Sequence, residues 1–262
     1  MGIVNVTPDS FSGDGTSDPE SAAAVARAQH VAGADFIDFG AESTRPGHEP
    51  IDAQTELARL LPALERFRAA DSQTIVSIDT FKPEVFRRAH LAGGDILNSI
   101  WGLDEGLLEV AIECEAPVVA MHNKEQAVYE HDVVEEVVAY LDATAQRAVQ
   151  RGIPPEHVIL DPGIGFGKTA EHNLALLASL DRIVALGFPT LLGTSRKSTL
   201  GKLTAKPVDE RVFATAATLA LAAAAGIDIV RVHDVGPARD VLAVADAIAR
   251  GWRPSGWSEP QP

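Results

Sequence analysis

Eight times along its 262 residues the chain repeats one pattern, a short run rich in β-branched residues followed by a longer run with helical spacing. The strand-like runs are "GIVNV", "FIDFG", "TIVSID", "DILNSI", "PVVAMHN", "HVILD", "TLLGTS" and "DIVRVHD". Between them stand "PESAAAVARAQHVAGA", "IDAQTELARLLPALERFRAA", "KPEVFRRAHLAGG", "EGLLEVAIECE", "VVEEVVAYLDATAQRAVQRG", "AEHNLALLASLDRIVALG", "DERVFATAATLALAAAAG" and "PARDVLAVADAIARG". Strands this apolar are covered on both faces, which is how parallel sheets are built. Parallel neighbours need a crossover, and a helix of this length supplies it. Glycines that close the helical runs fit C-caps, and Pro83 and Pro155 stand where first helical turns or turns begin. Eight such units in about 250 residues predict a single (β/α)8 barrel of the TIM type over residues 1–251, rather than a doubly wound open sheet. Residues 252–262, rich in Pro, Gly and Ser, are expected to form a disordered tail. Met1 stands almost inside the first strand, where a barrel of this kind usually has chain covering its bottom, so a start further upstream stays open.

A net charge of -15 argues against a nucleic-acid groove and against an anionic membrane, since both need a basic surface. It leaves room for an anionic small molecule held by cations concentrated in one pocket. The lone cysteine, Cys114, excludes an internal disulfide and fits a reducing compartment; its helical run makes it a small core residue rather than a nucleophile. With no signal-peptide pattern and no apolar run long enough to span a bilayer, the expectation is a cytoplasmic protein.

The stretch "LDPGIGFGKT", residues 160–169, imitates a nucleotide phosphate loop. Its spacing excludes one, because Pro162 occupies the place of the first glycine of that pattern. The dinucleotide fingerprint fails as well, with Lys168 where its third glycine belongs. The glycines are instead expected to let backbone pass close to a ligand beside Asp161.

In barrels of this kind the reacting groups gather at the C-terminal ends of the strands. Unusual polar residues fall there repeatedly: Asn5, then Glu42, Ser43, Thr44 and Arg45, then Asp79, Asn98, Met121 with His122 and Asn123, Asp161, Ser195 with Lys197, and Arg231 with His233. Each taken singly has a plainer reading. Asp79 or Asp161 fits a helix N-cap, Asn98 a turn, and His122 a hydrogen-bonded structural histidine. Glu42 is placed to brace Arg45 or a backbone amide, and Lys82, Lys124 and Lys168 fit solvated helix starts or loops. By strand alternation Arg231 and His233 share a face, an unfavourable crowding unless a negative group joins them. A phosphate or diphosphate is the simplest such group. By the same rule Ser195 and Lys197 share a face. Asp79, Asp161, Asn98 and Lys197 together frame a flat, nitrogen-rich heterocycle, since a carboxylate accepts two parallel N–H bonds from an aminopyrimidine edge.

With these motifs in order, one per barrel unit, the chain resembles the dihydropteroate synthases of the folate pathway. The carriers are "GIVNVTPDSFS", "GAESTRPG", "SIDTFKPEV", "ILN", "MHN", "LDPGIGFGKT", "GTSRKS" and "VRVHDV". The resemblance implies that p-aminobenzoate displaces diphosphate from 6-hydroxymethyl-7,8-dihydropterin diphosphate to give 7,8-dihydropteroate. It implies Mg2+ at the diphosphate, contacted by Asn5, and a homodimer. Asp79, Asn98, Met121, Asp161 and Lys197 match the family's pterin-binding residues. Asn5, Arg45, Arg231 and His233 match its diphosphate-binding residues, and Phe11, Thr44, Pro46, Phe166 and Ser195 match positions around p-aminobenzoate. Catalysis would rest on Asp79, Asp161, Lys197, Arg231 and His233, the carboxylates stabilising a cationic pterin methylene and the cations the leaving diphosphate.

The chain departs from the family pattern in two places. Ser99 stands where an aspartate commonly follows the asparagine, which puts the support of Asn98 in question. Asp14 sits one residue later than the usual acid of the first loop. Three other readings stay open: a corrinoid-linked methyl transferase barrel, a pterin-binding paralogue without activity, and a sugar-phosphate barrel. Diphosphate release that depends on p-aminobenzoate and Mg2+ separates them.

Overall fold

The structure is a computed structural model and describes residues 1–7, 15–16, 18–43 and 49–258. Its strands follow one another in chain order: β1 (Gly2–Asn5), β2 (Phe36–Gly40), β3 (Ile75–Asp79), β4 (Ile96–Ser99), β5 (Val118–Met121), β6 (Val158–Asp161), β7 (Leu191–Leu192) and β8 (Ile229–Val230). The first six form one parallel sheet in sequential order, and β7 pairs with β8. Two parallel bridges, Leu160 with Thr190 and Gly2 with Val232, join the two pieces. Across these seams Leu160 N–H donates to Pro189 O at 2.8 Å, Ile3 N–H to Val232 O at 3.0 Å, and Val232 N–H to Met1 O at 3.0 Å. The last strand therefore bonds to the first, the sheet has no free edge, and the expected (β/α)8 barrel is what forms.

Single helices follow the first five strands: α1 (Pro19–Val31), α2 (Ala53–Ala70), α3 (Pro83–Leu91), α4 (Glu105–Glu113) and α5 (Val133–Gln150). After β6 come α6 (Ala170–Leu177) and α7 (Leu180–Val184), after β7 come α8 (Ser198–Thr204) and α9 (Val212–Ala225), and α10 (Val235–Ala249) follows β8. Aspartates start four of them. Asp18, Asp52, Asp104 and Asp132 each accept an N–H of the first turn that the helix itself leaves unpaired. Several boundaries differ from the sequence reading. The run "AEHNLALLASLDRIVALG" breaks into α6 and α7 at Ser179, whose φ of -129° leaves the helical region; serine hydrogen-bonds locally and is a weak helix former. Helix α8, which starts at the last residue of "TSRKS", was not expected. Pro83 opens α3 and Pro155 opens a 3-10 turn, as the sequence reading allowed. Cys114 is the half-buried C-cap of α4, packed against the core.

Strand alternation sorts side chains into two apolar bodies. Outward positions such as Ile37, Phe39, Ile78 and Leu97 meet Leu60, Leu64, Phe67, Phe86 and Leu108 of the helices. Inward, Met1, Ile96, Val119, Ile159 and Leu191 pack with Phe36 and Ile229 as a separate plug inside the barrel. One step further along the strands the inward positions turn polar, with Asp38, Ser77, Asn98, Asp161 and Arg231. The barrel is thus plugged at the N-terminal ends of its strands and lined with hydrogen-bonding groups at the other.

A buried charge cluster braces the rim beside β2 and β3. Lys82 Nζ pairs with Glu56 at 2.7 Å and with Glu42. The other Glu42 oxygen accepts the Ile51 N–H at 3.0 Å, which ties residue 42 to residue 51. So Glu42 braces a backbone amide, as one reading had it, and Lys82 is a half-buried ion-pair partner of two buried carboxylates rather than a solvated residue. Lys82→Met leaves two buried carboxylates without a cation. It is expected to cost about 3 kcal/mol or more, seen as a large fall in the urea midpoint with little change in its slope.

Candidate active site

The inward polar layer is built by register. Asp38 lies opposite Ser77, Gly40 opposite Asp79, Asp79 opposite Asn98, and Met121 opposite Asp161. Gly40 lies directly against Asp79, a Cβ there coming to 3.4 Å from the Asp79 Cβ. Into this layer reaches Arg231, whose Nε donates to Asp38 Oδ2 at 2.6 Å while its Nη2 donates to Asp79 Oδ2 at 3.0 Å. Asn98 Nδ2 reaches Asp38 at 3.2 Å, and Ser77 Oγ donates to it at 2.5 Å.

Lys197 approaches from the loop after β7. Its ammonium lies 4.4 Å from the centre of the Phe166 ring and donates to Ile164 O. Gly193 separates it from Arg231: a Cβ on that glycine would sit 3.9 Å from both Lys197 Nζ and Arg231 Cβ. Asp161 accepts the Gly163 N–H at 2.7 Å and acts on Lys197 through its charge. Asp79, Asn98, Met121, Asp161, Phe166, Lys197 and Arg231 therefore converge on the C-terminal end of the barrel, and Asn5 closes β1 on the same rim.

Electrostatics follow from this crowding. Burial raises the Asp79 carboxyl well above its ordinary range, against the pull of Arg231. Burial raises Asp161 as well, opposed by Lys197 and the Gly163 amide. Lys197 is lowered to about 8 by burial, with Asp161 opposing. Its positive charge is therefore lost as pH rises through about 8. We expect kcat/KM to fall with unit slope above that pH and the fall to flatten in Lys197→Arg, whose guanidinium does not titrate. A pH–rate profile unchanged by the substitution would remove Lys197 from the reaction.

Other expectations are redrawn. Ser195 and Lys197 flank Arg196, whose φ of 57° breaks the extended run, so alternation does not put that pair on one face, while beyond β8 the pairing continues to Val232, which bridges Gly2. Arg231 turns in among carboxylates, whereas the His233 ring pairs with Ser195, Nδ1 to Oγ 2.9 Å, and the His233 N–H donates to the same oxygen at 3.2 Å. Asp234 takes a bidentate fork from Arg196 at 2.5 and 3.0 Å. Phe11, Asp14, Thr44, Arg45 and Pro46 lie outside the described residues.

The glycines of "LDPGIGFGKT" answer mostly to protein. Gly163, Gly165 and Gly167 have φ of 68°, 85° and 56°, a region that other residues enter only with strain. A Cβ on Gly163 would collide with the His122 carbonyl, and one on Gly167 with the Lys124 backbone. They let this loop lie against the loop after β5. Lys168 locks the contact, donating to His122 O at 3.2 Å and Phe166 O at 3.0 Å and meeting His122 Nδ1 at 2.9 Å. Burial lowers Lys168 to about 7 and His122 to about 4, so the imidazole is a neutral, structural acceptor. Lys168 is no solvated loop residue, and Lys124 pairs with Glu136 at 2.8 Å.

Ser99 is fully buried, and by alternation its side chain faces away from Asn98 and the pocket. Its Oγ has no hydrogen-bond partner among the described residues. Ser99→Ala removes an uncompensated hydroxyl and is expected to raise stability by up to about 1 kcal/mol, with pterin affinity unchanged; thermal melts and a binding titration check both.

Asp38 is the site residue that sequence reasoning passed over, because attention fell on strand ends and this carboxylate sits in mid-strand. The signal was present. A charge at the centre of "FIDFG" shares its alternation with Gly40, one register step from Ser77 and Asp79.

Comparison with known proteins agrees with this geometry. The profile of the family described as "Pterin binding enzyme" matches residues 1–233. A dihydropteroate synthase of Streptococcus pyogenes is 42% identical over 93% of this chain and 93% of its own length. The solved dihydropteroate synthase of Xanthomonas albilineans with 4-aminobenzoic acid superposes with a TM-score of 0.88 at 41% identity, covering 95% of this chain and 92% of that one. That of Thermus thermophilus in complex with 6HMPPP gives 0.83 at 43% identity, covering 95% and 93%. With a pterin-type acceptor frame, a guanidinium among carboxylates and these relatives, the chain belongs to the dihydropteroate synthase family of pterin-binding enzymes.

Proposed function

We propose that the chain condenses 6-hydroxymethyl-7,8-dihydropterin diphosphate with p-aminobenzoate, giving 7,8-dihydropteroate and diphosphate, and that in the converged layer Asp79, Asn98, Met121, Asp161 and Lys197 bind the pterin while Arg231 binds the diphosphate. The carrying observation is that three acceptor side chains and two cations from five different strand–helix units meet at one barrel end. Asp79, Asp161 and Asn98 offer acceptors to the N–H edge of the ring, and Lys197 supplies a donor to its carbonyl or ring nitrogen. Met121, buried at the end of β5, gives the ring an apolar floor.

The chemistry needs no activated nucleophile. As the C–O bond to diphosphate lengthens, positive charge grows on the methylene and spreads into the electron-rich pterin. Fixed carboxylates beside the ring stabilise that charge without reorganising. Arg231 holds the departing anion, with His233 and Arg45 as further donors. The amine of p-aminobenzoate then attacks from among Phe11, Thr44, Pro46, Phe166 and Ser195 and loses a proton to solvent.

No group of three His, Cys, Asp or Glu side chains among the described residues is placed to hold a metal ion. Mg2+ keeps several waters and takes few protein oxygens beside substrate phosphates; Asn5, at the end of β1, would hold it through its side-chain oxygen. It would neutralise the diphosphate there. We further propose a homodimer acting in the cytoplasm; no helix among the described residues is long and apolar enough to cross a membrane.

Diphosphate release from the pterin substrate, measured with p-aminobenzoate and Mg2+ each present or withheld, tests this. Turnover requiring both is expected, and EDTA should abolish it with recovery on adding Mg2+. Tight pterin binding without turnover would overturn the proposal.

A further inference from the structure

We propose that Asp38 is a positioning residue for both halves of the substrate, one carboxylate orienting the Asn98 amide toward the pterin ring and the Arg231 guanidinium toward the diphosphate. The inference rests on the functional reading above and deepens it. Asp38 is fully buried in the middle of β2, below the rim and above the apolar plug. An ionised carboxylate only accepts hydrogen bonds, and Asp38 is surrounded by donors. Oδ1 receives Ser77 Oγ at 2.5 Å and Asn98 Nδ2 at 3.2 Å; Oδ2 receives Arg231 Nε at 2.6 Å and lies 2.6 Å from Arg231 Nη2. With its oxygens taken by protein, Asp38 acts through its partners and not on a ligand.

Two orientations follow. A side-chain amide can present either its NH2 or its oxygen, and the neighbouring group decides which. Against Asp38 the NH2 end of Asn98 is favoured and the oxygen end repelled, so the amide oxygen is left to face the pocket as an acceptor for a ring N–H. For Arg231, Asp38 and Asp79 engage the edge formed by Nε and Nη2. That fixes the guanidinium plane and directs Nη1 to an incoming anion. An asparagine at position 38 would have to turn its own NH2 against one of three donors, which explains why the charge is needed here.

The test is Asp38→Asn, read with two separate probes. Inorganic diphosphate, titrated by calorimetry, reports on Arg231, and 6-hydroxymethylpterin without the diphosphate, titrated by fluorescence, reports on Asn98. Because the hydrogen bonds lost are charge-assisted, each affinity is expected to fall by about tenfold or more. Double-mutant cycles separate positioning from general loosening. Asp38→Asn added to Asn98→Ala should change pterin affinity by less than about twofold, and added to Arg231→Met should do the same for diphosphate, since the group acted through is already gone. Fully additive losses, or a folded Asp38→Asn protein with both affinities intact, would overturn the inference. Wild-type protein that binds no pterin would bring down the functional reading instead. If Asp38→Asn does not fold, 15N spectra of the wild type decide. Slowly exchanging Arg231 Nε–H and two well-separated Asn98 amide protons are expected, and rapid exchange with averaged amide protons would refute the proposal.

Discussion

Arg231→Met is expected to lower kcat/KM by roughly a thousandfold or more, the loss of a charge-assisted, bidentate-capable anion donor and of a preorganised positive charge at the leaving group. The same change should destabilise the fold, because Arg231 is the cation that both Asp38 and Asp79 contact. Removing one partner of a buried ion pair leaves an uncompensated charge, at a cost of about 3 kcal/mol or more. The stability deficit should shrink as pH falls. Burial already raises Asp79 in the intact protein with Arg231 opposing, so without the guanidinium its folded-state value rises further. Between the unfolded and folded values the folded state then binds more protons, and stability increases toward acid pH. Urea unfolding of the variant at several pH values checks the sign. A deficit that is flat or that grows in acid would show that neither carboxylate depends on Arg231. Arg231→Lys should recover stability in part and activity little, since an ammonium cannot bridge two carboxylates in one plane while still offering a donor to the ligand.

Asp161→Asn is expected to reduce kcat by about a hundred- to a thousandfold, the range found when one preorganised electrostatic stabiliser is removed from a transition state. The amide can still accept the Gly163 N–H, so the loop geometry should persist and the melting temperature should change little. A second consequence sets this variant apart from simple damage. Asp161 is the main charge holding Lys197 up against burial, so neutralising it lowers Lys197 below its value of about 8. The alkaline fall in activity should therefore move to lower pH, and some of the loss at pH 7 should be regained at pH 6. Rapid-quench measurement of diphosphate release across pH separates the chemical step from binding. Near wild-type kcat with only a raised KM would mean that Asp161 merely binds the ring.

Much of this site was legible without coordinates. Asp79, Asn98, Asp161, Lys197 and Arg231 were all placed at strand ends by counting strand–helix units, and the structure brings them together. His122 was open to a structural reading and has one, as a neutral acceptor for Lys168. What failed had physical causes. Ser195 and Lys197 were assigned a shared face by strand alternation, but Arg196 between them has a φ of 57°. The period-2 rule lapses where the backbone leaves the extended region. The lysines at 82 and 168 looked like surface residues because their counter-charges and acceptors, Glu42, Glu56 and His122, lie in other loops.

The sequence by itself determined the eightfold alternation and the end of the barrel that carries polar groups, because periodicity is encoded within a turn or two of chain. Ring closure across the Leu160–Thr190 and Gly2–Val232 bridges was left to the tertiary structure. So was the choice of Asp38 as the hub of the polar layer, with Arg231 193 residues away in sequence as its partner. Those depend on strand register and on the barrel's curvature. A local pattern gives the face on which a side chain lies, but only the closed sheet sets which distant side chain it meets.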